Sequence, residues 1–251
     1  MPSKNKDKPA KISQFAKRKS QNSLGSGWEV KSKTSQKVSG KNHFLFLPFV
    51  FLVFILWVVY RSLFSFEVWF DELIGKAVFL GMPVWLYMTA TSSFQIAESF
   101  SLQKIKRGLW MGIAIGGIYG FIAAILGSFQ RSGHWANAAF YVSDAFWWEF
   151  LLAMLTGFWE TLFFYSFVML IVQEKYRRWP LLNQLLLVML VFTVFHLPNI
   201  VLRFSGVEIA YQIMLLALFS LGQGYLFASE KNGFALVLSH AIWGMVLLVH
   251  F

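Results

Sequence analysis

Three ionisable side chains stand in apolar surroundings: Glu160 in FWETLFFYSF, His196 in FTVFHLPN and His240 in FALVLSHAIW. A charge at the centre of a bilayer costs about 2.5–3.5 kcal/mol on insertion scales, so such residues are read first as functional. Hydrolysis inside a membrane needs a nucleophile or a base, and several solutions are missing here. The chain has no cysteine, which removes disulfides, thiolate metal sites and a cysteine nucleophile together. Of its aspartates, Asp71 and Asp144 fall at the edges of apolar runs and Asp7 lies near the start, so a paired-aspartate site is absent. Neither a GxSG-like serine motif nor the zinc motif HExxH occurs. One deep carboxyl and two imidazoles remain. Glu149, beside Trp147 and Trp148, reads as interfacial, and His250 lies near the chain's end.

The surroundings of these groups are those of a membrane protein. Hydrophobic residues make up 57% of the 251 and charged ones only 14%, with Phe 28, Trp 11 and Tyr 8; soluble domains carry about 25% charged residues. The net charge of +10 is concentrated in residues 1–43, which hold eleven Lys/Arg against Asp7 and Glu29. That segment is rich in Ser, Gly and Asn and too polar to build a core. It reads as a disordered cytoplasmic arm on anionic lipid headgroups, each basic residue adding roughly 1 kcal/mol. Nucleic-acid binding and an organelle-targeting role are the sharper alternatives, and the headgroup reading is preferred. A secretory signal would place its apolar run closer to the start.

The rest, 44–251, is expected to be an all-α polytopic bundle of about seven transmembrane helices. A span needs about 20 mostly apolar residues, and the stretches are Phe44–Leu63, Ala77–Ala97, Gly108–Ser128, Phe146–Val172, Leu181–Leu202, Ile209–Phe227 and Phe234–Phe251. Pro83 and Pro198 predict kinks in the second and fifth. With the tail inside, the inner segments add Lys104, Lys106, Arg107, Lys175, Arg177, Arg178 and Lys231. The outer ones hold Arg61, Lys76, Arg131 and Arg203, a division of 18 to 4. By the positive-inside rule the N-terminus is cytoplasmic. The third span carries small residues every fourth position, Gly108, Gly112, Gly116 and Gly120 then Ala124 and Ser128. Packing inside the bundle is preferred to a self-association face.

Spacing leaves convergence of the three groups open. At 1.5 Å per residue, Glu160 lies roughly 18 Å from the inner end of its span, His196 about 22 Å and His240 only about 9 Å. Starting the seventh helix near Glu230 would bring His240 to about 15 Å.

The residues around the three groups resemble the CAAX protease and bacteriocin-processing (CPBP, or Abi) family of intramembrane proteases. Its first motif, E-E-x-x-x-R, is matched at Glu160 in ETLFFYSF, with Thr161 at the second Glu and Tyr165 at the Arg. The second, F-x-x-x-H, is matched by Phe192 and His196, with Leu-Pro following. The third, H-x-x-x-N, is matched by His240, but Gly244 stands at the Asn. The run from Gly222 to His240 also looks like the family's link into that motif. The resemblance covers roughly 145–251. It implies an all-α bundle with a water-filled cavity, Glu160 as the base, His196 as its partner and His240 as an oxyanion donor. The family has been described both as metal-free and as zinc-dependent, and a Glu with two His could hold zinc; the metal-free form, without a cofactor, is preferred.

The departures differ in kind. Positions 161 and 165 are i, i+4 neighbours, so losing both members of a buried ion pair leaves no orphan charge and reads as a coordinated replacement. Gly244 removes a donor, and one oxyanion donor is worth about 10²–10³ in rate; Asn199, one turn past His196, is an alternative. The leading expectation is a CAAX-protease-like glutamic endopeptidase cutting a membrane-anchored protein or peptide. It would be integral to a bacterial plasma membrane or to a thylakoid or other organelle membrane. The alternatives are a catalytically silent relative that binds or assembles membrane proteins, and a proton-coupled transporter. The last expects duplicated halves, and no repeat is found.

Overall fold

The computed structural model describes residues 43–132 and 144–250, without the side chains of 127–132 and 247–250. The basic tail and its headgroup contacts lie outside the described residues, as do the side chains of Arg131 and His250. Every regular element among the described residues is helical. We number the seven long helices α1 (Phe46–Leu63), α2 (Val68–Thr91), α3 (Ile105–Ser132), α4 (Phe146–Lys175), α5 (Leu181–Arg203), α6 (Val207–Glu230) and α7 (Gly233–His250). The first six belong to segments long and apolar enough to cross a membrane, and α7 is a shorter apolar helix.

These helices are apolar on both faces, which is what sorts them into lipid. In α1, Phe46, Val50, Val53, Trp57 and Tyr60 recur every three or four residues and are buried in the bundle. Phe51, Leu52, Ile55, Leu56 and Val59 fill the opposite face and are exposed. A helix hydrophobic all round belongs in a core or a membrane. The small-residue stripe of α3 packs within the bundle, as preferred. A Cβ on Gly112 would come 2.7 Å from Cβ of Leu238, and one on Gly116 3.0 Å from Cα of Ser239. The stripe is the seat of α7.

The second span differs from the expected Ala77–Ala97. It starts nine residues earlier, at Val68, and ends at Thr91, where Ser92 takes a left-handed φ of 52°. Asp71, Glu72 and Lys76 belong to this helix because their charges are matched inside the bundle: Arg61 bonds Asp71, and Lys76 lies between Glu72 and Glu160. A reading by hydropathy stops where charges begin. Lys76, counted above among the outer charges, is therefore a buried helical residue. Pro83 has no N–H for the helix ladder, and the turns before it, Asp71–Gly75 and Ala77–Gly81, are π-helical. The α5 helix runs on through Pro198.

Loops alternate between two ends. At one, Lys104 Nζ donates to the Lys231 carbonyl (2.7 Å), Lys175 Nζ to the His43 carbonyl (3.0 Å), and Arg107 pairs with Glu230. At the other lie Arg61, Asp71 and the exposed Arg203. The turn into α7 is not at the surface: Asn232 is 2% exposed, gives its amide to the Lys104 carbonyl and caps α7 at Phe234 N. Gly233 sits against the ring of Phe100. Burial pushes the Lys231 ammonium below its ordinary value. α7 thus begins at Gly233, inside the bundle, and needs no earlier start to carry His240 to depth.

Candidate active site

Glu160 closes the α-helical part of α4, where the helix widens into the π segment Thr161–Met169. Short π stretches inside α-helices recur at functional sites. One turn before it, Gly157 lets α4 and α7 meet: a Cβ there would lie 2.8 Å from the Val237 carbonyl oxygen and 3.3 Å from Cβ of His240. Gly81 does the same for α2, since a Cβ would collide with the Trp159 ring at 2.5 Å. Two glycines therefore bring α7 and α2 onto the turn that carries Glu160.

The three groups singled out in the sequence converge. Nε2 of His196 and Nε2 of His240 each stand 3.4 Å from the same Glu160 oxygen, Oε2. That is longer than an ordinary N–H···O bond of 2.7–3.2 Å, and Oε2 makes no hydrogen bond in the structure. His196 is oriented by its own helix. Its Nδ1 lies 2.8 Å from the Phe192 carbonyl, which can only accept, so Nδ1 carries a proton. In the neutral ring Nε2 is then a bare acceptor facing a carboxylate oxygen. Two acceptors so placed call for a proton between them or a water beside them bonded to both.

His240 is held by neighbours on α6. Phe219 meets its ring edge-on at 5.0 Å and stacks on Trp243, also at 5.0 Å. Gln223 Nε2 donates to Ser239 Oγ at 2.9 Å, both residues fully buried, which sets the rotation of α7. Trp57 of α1 donates to the Phe195 carbonyl at 3.0 Å, tying down the turn before His196.

Two charged neighbours of Glu160 were not singled out in the sequence. Lys76 Nζ stands 2.7 Å from Glu160 Oε1 and 2.6 Å from Glu72 Oε2, and Thr156 Oγ1 donates to Glu72 Oε2. The signal was present as Glu72 and Lys76 at i, i+4, a helical ion-pair spacing, but it lay in a segment read as a loop. The departing motif positions make no hydrogen bond with this cluster. Thr161 is fully buried with its hydroxyl unpartnered, and Tyr165 turns its hydroxyl to Ser220 on α6 at 3.3 Å. Gly244 faces open space, with only Cβ of Ala153 within 4.0 Å of where its own Cβ would be.

Glu160, His196, His240, Asn199 and Gly244 line one cavity of about 1440 Å³. It extends to Phe64 and Phe66 between α1 and α2, Trp148 at the start of α4 and Phe204 after α5. Its far part therefore lies at the end of the bundle away from Lys104, Lys175 and Lys231. Among the described residues, no three His, Cys, Asp or Glu side chains are grouped to hold a metal ion. One oxygen of Glu160 already faces an ammonium.

Residues 142–246, which include all three groups, match the family model described as type II CAAX prenyl endopeptidase Rce1-like. No curated protein and no solved structure matches the chain. The matched stretch begins just before α4 and ends within α7, and leaves α1, α2 and Lys76 outside it. The order of motifs and the helical membrane fold agree with this match, and over residues 142–246 the chain is similar to the Rce1-like endopeptidases of the CPBP family of membrane proteases.

Proposed function

We propose that this protein is an intramembrane endopeptidase that hydrolyses a peptide bond in a membrane-anchored protein or peptide, without a metal. The observation that carries the reading is the shared approach of His196 and His240 to Glu160 Oε2, each at 3.4 Å, on the wall of a large cavity. A water beside the pair, bonded to both Glu160 Oε2 and the bare Nε2 of His196, loses a proton to that pair as its oxygen adds to the scissile carbonyl. His240, donating from Nε2, faces the oxygen on which negative charge develops, and such donors act strongly in a site closed to bulk water. The C–N bond then breaks, and the proton held by the Glu160–His196 pair passes to the leaving amine. Aromatic walls at Trp57, Phe64, Phe66 and Trp148 suit an acyl or prenyl chain beside the peptide. The family's description makes a lipid-anchored C-terminal peptide the first substrate class to try.

The test is purified wild-type protein against Glu160→Gln on peptides anchored by prenyl, acyl or transmembrane segments. Cleavage by the wild type and its loss in Glu160→Gln is the expected result. Cleavage that survives Glu160→Gln sinks the mechanism. The bare Gly244 favours a second reading, a silent relative that binds membrane proteins. It predicts no cleavage in the wild type and partner binding that persists in Glu160→Gln.

A further inference from the structure

A carboxylate at the end of a Glu side chain has a broad, roughly two-fold terminal torsion, so packing of the stem alone does not choose which oxygen faces which neighbour. In this bundle the choice is made from another helix. Lys76 of α2 is 7% exposed and lies 2.7 Å from Glu160 Oε1, which leaves Oε2 to His196 and His240. Lys76 is itself anchored from below: Glu72, four residues earlier, takes its ammonium at 2.6 Å. Thr156, one turn before Glu160 on α4, bonds the same Glu72 oxygen. The chain α4–Glu72–Lys76–Glu160 closes a loop of charge-assisted bonds, the stronger class of hydrogen bond. The motif's own positions offer nothing equivalent, since Thr161 has an unpartnered hydroxyl and Tyr165 points to Ser220.

We propose that Lys76, held by Glu72, is the positioning residue of this site: it takes Oε1 of Glu160 so that Oε2 is presented to both histidines. The Glu–cation pair missing from positions 161 and 165 of α4 is thereby rebuilt, at the same i, i+4 spacing, on α2. The charged and titratable groups facing Glu160 are then Lys76 and Glu72 from α2, His196 from α5 and His240 from α7. With neutral imidazoles the cluster holds two carboxylates and one ammonium. The inference rests on the hydrolytic reading, and its role is to order Glu160, not to touch substrate.

The experiment uses the full-length protein in lipid vesicles and a peptide that the wild type cleaves. Lys76→Arg, which keeps the cation, is expected to hold kcat within about threefold. Lys76→Met combined with Glu72→Gln, which removes the pair without leaving an orphan charge between them, is expected to lower kcat at least 100-fold with KM within about twofold. If that double variant does not fold, Lys76→Cys decides, because this is the chain's only cysteine. Alkylation with bromoethylamine restores an ammonium at nearly the lysine's reach, and kcat should return with it. Retention of kcat within threefold in the double variant, no recovery on aminoethylation, or a loss confined to KM each overturns the proposal. A wild type that cleaves alongside an equally active Glu160→Gln instead overturns the hydrolytic reading, and the inference with it.

Discussion

Gly157 of α4 and His240 of α7 lie so close that a Cβ on the glycine would stand 3.3 Å from Cβ of the histidine and 2.8 Å from the Val237 carbonyl. The helix that carries Glu160 and the helix that carries His240 thus meet at a point where no side chain fits, one turn from Glu160. A carbonyl oxygen cannot swing aside as a side chain can. Gly157→Ala should therefore separate the helices, lowering stability by about 1–3 kcal/mol, as over-packing generally does. It should also lower kcat at least tenfold by moving His240 from Glu160. Thermal unfolding in detergent and cleavage of an anchored peptide check the two effects, and a fully active Gly157→Ala protein would contradict the account of how the site is assembled.

Gly244 is the opposite case, a glycine with room in front of it. Only Cβ of Ala153 comes within 4.0 Å, so Gly244→Asn should fold and should bring an amide to the cavity one turn from His240. Kinetics at saturating substrate should show a gain in kcat of about tenfold or more, within the worth of one oxyanion donor. A variant that folds and gains nothing would mean that the oxyanion is met by another donor, and Asn199, which lines the same cavity, is the next to replace.

Membrane orientation is open to a direct test because the chain lacks cysteine. Single cysteines at Ser65 and Ser205, both exposed at the end that the cavity reaches, should be labelled by an impermeant maleimide from one side only. One at Ser229, near the Lys104 and Lys175 end, should be labelled from the other. By the positive-inside rule, Ser229 is expected to be labelled from the cytoplasmic side. Labelling of Ser65 and Ser229 from the same side would break the alternation of spans.

Metal removal separates the two hydrolytic chemistries. On the metal-free reading, the ammonium of Lys76, 2.7 Å from Glu160, supplies the positive charge beside that carboxylate. Cleavage should survive dialysis against phenanthroline and should not rise on adding zinc. Loss on chelation with recovery on zinc would favour a Glu160–His196–His240 metal site and retire the metal-free reading.

The sequence by itself determined the class of fold and the three groups to watch. Seven apolar runs need no tertiary information, because each helix meets its own backbone hydrogen bonds in lipid, and Glu160, His196 and His240 are conspicuous there for their cost. Motif order then pointed to the family, which the match over 142–246 supports. Tertiary structure decided what spacing left open. His240, about 10 Å from the start of α7 at 1.5 Å per residue, reaches the depth of Glu160 because the Asn232 turn is buried beneath the Lys104 carbonyl. No count along one helix contains that offset. Lys76 and Glu72, although four residues apart, were not assigned to the site for a related reason. Hydropathy scores each charge as if it stood alone, whereas their burial depends on partners, and one of these, Glu160, is 84 positions away in the chain.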